Sequence, residues 1–252
     1  MKKTLTSLAC GLLAGMACCS ATAQSSVSTP EWQFEFSPYA WAPGVKGHVS
    51  LADGLISRST SIDSTSLIKA LKYAVMGTFE ARNGPWGVLL DINLVQVGQS
   101  RQSNYGLLGG YDFKLTQGVY TVAGSYRVVD SPAVTLDLVG GARYVGAKAQ
   151  IYAAPSIFGL GRYEAADGGF WNGIVGANLK VPVSDKWSLI GYVDAGSGAG
   201  ATSRQAIAGA NYQYSPTTAI KLGYRYLSFK RDNKALNDVS LGGFYLGAGF
   251  RF

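Results

Sequence analysis

The chain contains one histidine, His48, with Ser50 two residues on and Asp53 three further. These are the residue types of a hydrolytic triad, in which an imidazole takes a hydroxyl proton and a carboxylate orients the ring. The surroundings argue against that chemistry. Serine and aspartate are common loop residues, and no nucleophile motif surrounds them. His48 is therefore expected to be a solvated loop residue, and no catalytic residue is assigned. A single imidazole also falls short of a zinc site. The three cysteines, Cys10, Cys18 and Cys19, all precede Gln24, which leaves the remainder without thiol ligands or disulfides. No cofactor or metal is expected.

A second set of reactive side chains is spread along the chain. The acids are Glu35, Glu80, Asp91, Asp137 and Asp194; the bases are Arg82, Arg127, Arg143, Lys180, Lys221, Arg225 and Arg251. Each sits on the polar parity of a segment that alternates polar and apolar residues. Side chains of a strand alternate between its two faces, so this parity puts every one of these charges on one side of a sheet. Five acids against seven bases describe either a bore with a slight basic excess or an interior neutralised by ion pairs. A narrow barrel has room for little more than side chains, which favours the paired interior. Asp137 is the residue whose loss is expected to reduce stability and open the bore, with Arg127 and Lys180 as its candidate partners.

The elements that carry these charges follow a leader. Lys2 and Lys3 precede an apolar run from Leu5 to Ala17, too short to span a membrane, and Ala21-Thr22-Ala23 has the small-residue spacing of a cleavage site. Residues 1–23 are expected to be a signal peptide cut between Ala23 and Gln24, and residues 24–252 one domain. Gly15-Met16-Ala17-Cys18 lacks the branched residue of a lipoprotein signal. The two lysines account for two of the seven formal positive charges, leaving a modest +5. Basic runs interleaved with stacking aromatics are missing, so a nucleic-acid partner is not expected.

Hydrophobic residues make up 47% of the chain, yet after the leader they never form a run of helix-spanning length. They are dispersed at period two over about ten segments. That is the pattern of strands facing lipid on one side and a lumen on the other. Ile220, Leu222, Tyr224 and Tyr226 alternate with Lys221, Gly223 and Arg225; Trp86, Val88, Leu90 and Ile92 flank Asp91. The lipid faces carry no charge through their central parts. Asn83-Gly84-Pro85, Asp130-Ser131-Pro132, Ser184-Asp185-Lys186 and Ser215-Pro216-Thr217 are short turns. Trp86 and Trp187 directly follow two of them, and Trp32 and Phe252 complete an interfacial girdle. The other connections, about 43–72, 99–110, 153–169, 198–203 and 230–238, read as longer polar loops.

These features predict an all-β protein: a single antiparallel transmembrane β-barrel of about ten strands (eight or twelve if a hairpin is miscounted), with periplasmic termini. Pro38 removes a ladder donor inside the first strand and predicts a bulge there. Ser66 to Lys72 reads as an N-capped turn or two of helix that caps the barrel mouth or enters the lumen.

The final segment ends on Phe244, Leu246, Phe250 and Phe252 at alternate positions. It resembles the C-terminal sorting signal of outer-membrane barrels, whose edge the barrel-assembly machinery engages by strand addition. Ser37-Pro38-Tyr39-Ala40-Trp41-Ala42-Pro43-Gly44, Glu80-Ala81-Arg82-Asn83-Gly84-Pro85-Trp86-Gly87, Ser125-Tyr126-Arg127-Val128-Val129-Asp130, Gly141-Ala142-Arg143-Tyr144 and Gly223-Tyr224-Arg225-Tyr226 resemble a group of uncharacterised proteobacterial outer-membrane β-barrel proteins. The resemblance implies the barrel and its location in the outer membrane, and carries no catalytic residue. The role expected is structural or that of a small porin-like pore. The alternatives are an outer-leaflet lipid-modifying enzyme and a surface-binding or adhesion barrel. Outer-membrane lipids and lipopolysaccharide are the expected surroundings.

Overall fold

Aromatic and β-branched residues at alternate positions suit a pleated backbone with one face in apolar surroundings. The computed structural model describes residues 31–51, 56–101, 110–153, 161–231 and 236–252. The leader, its cleavage site at Ala23 and Gln24, Asp53 and the side chain of His48 lie outside the described residues.

Eleven strands and one helix follow in order: β1 (Gln33–Leu51), β2 (Ile56–Ile62), α1 (Ser64–Ala70), β3 (Leu71–Asn83), β4 (Trp86–Arg101), β5 (Tyr111–Asp130), β6 (Thr135–Ala153), β7 (Arg162–Pro182), β8 (Trp187–Gly198), β9 (Ala201–Gln213), β10 (Thr218–Arg231) and β11 (Leu236–Arg251). From β3 to β11 each strand pairs antiparallel with the next, β3 pairs with β1, and β11 pairs back onto β1. The wall is thus a closed ten-stranded antiparallel barrel, and β2 is an extra strand beside the far half of β1. Closure pairs the first and last wall strands, as a sheet standing in lipid requires.

The outer surface is apolar through its middle. Val75, Ile92, Val122, Leu138, Val175, Val193, Leu222 and Leu246 are all exposed there. Aromatic pairs mark two belts. Near the short turns Trp86 meets Tyr126, Trp187 meets Tyr212 and Phe34 meets Phe252. Toward the loops Tyr120, Tyr144 and Trp171 run across three strands, and Tyr224 meets Phe244. Tyr144 lies over Gly169, where a Cβ would stand 2.2 Å from its hydroxyl, so glycine makes room for the ring.

Several local expectations change. The segment 198–203 is a two-residue hairpin turn, with Ala199 at φ 52° and Gly200 at φ 67°, rather than a long loop. Positive φ at both central positions matches the twist of the flanking strands. Strands β6 and β7 run on to Ala153 and Arg162, inside the segment read as a loop. The helix begins two residues early because Asp63 caps it, accepting 2.6 Å from the Ser66 N–H. That bond holds the Asp63 carboxyl below its ordinary pKa. None of the helix residues is buried, so α1 does not fill the lumen.

Pro38 makes no bulge. Phe34 exchanges backbone hydrogen bonds with Phe252, so even-numbered residues of β1 present their backbone groups to β11 and odd-numbered ones to β3. Pro38 therefore turns its missing donor toward β11. That ladder skips from Phe36↔Phe250 to Tyr39↔Gly247 without losing register. The β3 ladder ends at Pro38↔Gly77, and β2 takes up pairing with β1 only at Val45↔Ile62. Between these points residues 39–44 of β1 have no ladder partner on the β3 side. Pro43 lies in this stretch and, being odd-numbered, could offer β3 no donor.

Candidate functional site

Parity brings the inward side chains to one bore, and strand height stacks them in layers. The layer nearest the short turns holds two ion-pair clusters. Glu35 meets Lys221 and, at 2.8 Å, Arg251 Nε. Asp137 accepts from Arg82 Nη2 at 2.6 Å and from Arg127 Nε at 2.9 Å. Arg82 is thus a partner of Asp137 that the sequence did not single out. Lys180, the other candidate, forms no ion pair among the described residues and lies with Arg251 at the turn end. Glu80 stands opposite Glu35 in register, also without an ion pair among the described residues.

The middle layer is one continuous hydrogen-bonded chain. Arg225 donates through Nη2 to Asp91 Oδ2 at 2.6 Å and to Gln205 Oε1 at 2.7 Å, and through Nη1 to the Tyr39 hydroxyl at 2.7 Å. The Tyr39 hydroxyl donates in turn to Asp91 Oδ1 at 2.7 Å. Gln205 Nε2 reaches Asp194 Oδ2 at 3.3 Å. Arg143 grips both oxygens of Asp194, at 2.7 and 2.6 Å, and its Nε donates to Thr121 Oγ1 at 3.1 Å. Seven of the ten wall strands contribute. A bidentate arginine–carboxylate pair fixes geometry as well as charge; Arg225 Nε, buried in the same layer, has no hydrogen-bond partner among the described residues.

Toward the loops the next layer is apolar: Trp41, Val119, Val145, Leu227, Phe229 and Leu241, with Met76 and Phe170 packed against them. The Arg225 guanidinium lies 5.1 Å from the centre of the Trp41 ring, and the Trp41 indole donates to the Gly243 carbonyl at 3.1 Å. Tyr39 and Trp41 were read only as part of a strand motif. Their odd numbers, shared with Glu35 and Ser37, were the signal that they point inward.

Burial shows how full the bore is. Arg143 and Leu227 are 0% exposed, Asn172 and Ser203 1%, and Val119 2%, from five different strands. Side chains lining a water column could not all be inaccessible at that height. Between the middle layer and the turn-end charges a cavity of about 160 Å³ remains. Glu80, Asp137 and Lys221 border it on one side and Tyr39, Asp91 and Arg225 on the other. Arg82 Nη1, buried and without a hydrogen-bond partner, also borders it.

The layering revises what Asp137 controls. Its removal strips two arginines of their shared carboxylate. Both are about one-fifth exposed, so water compensates part of the loss. Asp137→Ala is expected to lower the unfolding free energy of the refolded barrel by roughly 1–3 kcal/mol, against about zero to one for the exposed Glu164→Ala. Chemical unfolding followed by tryptophan fluorescence measures both. Because the middle layer stands above it, Asp137→Ala is expected to leave the bore closed, contrary to the expectation from sequence.

A closed antiparallel wall, apolar outside and ion-paired inside, defines a transmembrane β-barrel of the outer-membrane class. No protein-family model matches the chain, and no curated protein matches it in sequence. Solved structures similar to it are outer-membrane proteins. The outer membrane protease OmpT from Escherichia coli shares 12% identity over 89% of this chain and 97% of that one, with a TM-score of 0.48. Ail, the attachment invasion locus protein of Yersinia pestis, solved with the heparin analogue sucrose octasulfate, shares 18% over 88% and 99%, with a TM-score of 0.39. The P. putida toluene transporter TodX shares 10% over 87% and 89%, with a TM-score of 0.33.

Proposed function

We propose that this chain is a structural outer-membrane barrel with a closed bore, its termini and short turns in the periplasm and its longer hairpins outside. The observation that carries this reading is the mid-height burial: inward residues of five strands are essentially inaccessible to water, and a seven-strand hydrogen-bonded chain lies beside them. A solute channel of this size needs a wetted constriction, and filled bores are the rule for the smallest barrels. The aromatic-terminated β11, paired on both sides after folding, suits recognition of its edge by the assembly machinery beforehand. No catalytic role is assigned.

Liposome swelling tests the reading. Proteoliposomes of the refolded barrel are expected to admit a pentose no faster than protein-free vesicles. His48→Ala cells are expected to yield lipid A of unchanged mass. Rapid swelling would replace the structural role with a pore, and an altered lipid A mass would replace it with an enzyme.

A further inference from the structure

The cavity on the turn side of the middle layer has a floor, a mouth and a lining of two kinds. Its floor is the layer of Arg225, Asp91 and Gln205, joined by hydrogen bonds. At the other end Arg82, Arg127 and Lys221 are 16–22% exposed, so entry is from the short turns. Cavities of about 150 Å³ admit a six-membered ring. This one, at about 160 Å³, has space for roughly six to eight non-hydrogen atoms.

The charged part of the lining is balanced in number but not in pairing. Three acids, Glu80, Asp91 and Asp137, stand there with three bases, Arg82, Lys221 and Arg225. Asp91 is taken by Arg225, and Lys221 by Glu35. Asp137 is shared by Arg82 and Arg127, and Arg82 Nη1 is left buried without a hydrogen-bond partner among the described residues. Glu80 forms no ion pair among the described residues. Arg82 does not serve it, because the guanidinium is turned to Asp137. An unpaired carboxylate and an unpartnered guanidinium N–H thus belong to successive inward residues of β3, roughly 7 Å apart along the strand.

Elsewhere the lining is apolar, with Leu89, Val139, Ile190 and Ile207 contributed by four strands. Water finds no partner on such a surface, and a buried water needs about two to four. An occupant that suits the whole cavity carries a cation for Glu80, an acceptor for Arg82 and an apolar body. It is also neutral overall, because the lining charges already cancel and an added net charge would go uncompensated. An ammonium and a carboxylate on one carbon, each making a hydrogen bond of about 2.8 Å, bridge the spacing of Glu80 and Arg82.

We propose that this cavity is a pocket for a small apolar α-amino acid, its ammonium on Glu80, its carboxylate on Arg82 Nη1 and its side chain against Leu89, Val139 and Ile207. This rests on the closed bore for the pocket's blind end, and on the orientation given above for the compartment it faces, the periplasm. The blind end makes it a binding site rather than a passage, so the amino acid leaves by the way it came.

Equilibrium dialysis of labelled L-valine against the refolded barrel in detergent micelles tests the pocket, with heat-modifiable migration selecting folded protein. Saturable binding is expected. The branched acid 3-methylbutanoate, which is valine without its amino group, is expected to compete about tenfold less well, the scale of one hydrogen bond between charged groups. Glu80→Gln breaks no ion pair among the described residues and is expected to fold normally. It is expected to weaken valine about tenfold and to leave 3-methylbutanoate binding at least as tight. No saturable binding, equal competition by 3-methylbutanoate, or full valine affinity in Glu80→Gln would overturn the proposal. A wild-type barrel that conducts in a planar bilayer yet binds valine in this way would discard the closed bore and keep the pocket. A silent barrel that binds none would do the reverse.

Discussion

Replacing Arg143 with methionine is expected to lower the unfolding free energy of the refolded barrel by about 3–5 kcal/mol. Arg143 and Asp194 are fully inaccessible, and the guanidinium covers both carboxylate oxygens. Without it the hydrogen bond left to Asp194 among the described residues is the 3.3 Å one from Gln205, with the Tyr192 hydroxyl nearby. A buried carboxylate left so poorly compensated must protonate, draw in water or unfold its surroundings. The exposed Arg162–Glu164 pair is the internal control, since Arg162→Met is expected to change stability by about zero to one kcal/mol. Arg143→Met combined with Asp194→Leu is expected to recover much of the loss, because replacing both members of a buried pair by apolar groups removes the stranded charge. Denaturant midpoints for the three variants decide this. Equal midpoints for Arg143→Met and Arg162→Met would show that water reaches the middle layer.

Arg225→Ala is expected to have the larger effect on permeation. Arg225 joins Tyr39, Asp91 and Gln205 from three other strands and lies beneath Trp41. Its removal leaves a gap in the middle layer next to the cavity that already exists on the turn side. The freed Asp91 carboxylate then faces that gap and draws in water and cations. Single-channel steps with cation preference are expected in planar bilayers for this variant. A variant as silent as the parent would mean that the apolar layer of Leu227, Phe229 and Val119 closes the bore by itself.

The parts of this architecture that were legible in the sequence are those that lipid enforces. Each strand within the hydrocarbon must keep charge off one parity, so Asp91, Asp137, Arg143 and Arg225 could be placed on the inner face from alternation alone. Beyond the membrane both faces are wet and the constraint lapses. The far ends of β6 and β7 therefore read as loop, though Gln150 and Tyr163 still meet across the hairpin. Partner choice was legible only across the β5–β6 hairpin, where Arg127 meets Asp137; elsewhere it was hidden for a different reason. Parity fixes which face a side chain occupies but not its height, and height depends on strand stagger. Arg82 and Arg127 thus share Asp137 while Lys180, of equal parity, stays apart. The unpaired stretch of β1 was hidden for the same reason: Pro38 drew attention as a broken donor, whereas the side to which Pro38 and Pro43 turn emerges only from the register of three strands.

The most direct measurement of the closed bore is the conductance of the wild-type barrel, purified, refolded and inserted into a planar bilayer at neutral pH. Insertion is expected to leave the membrane at its bare conductance, while Arg225→Ala inserted under the same conditions shows steps. A steady, ohmic conductance increment with each wild-type insertion would contradict the account, because ions would then be passing a level at which Arg143, Leu227 and Val119 were found sealed from water.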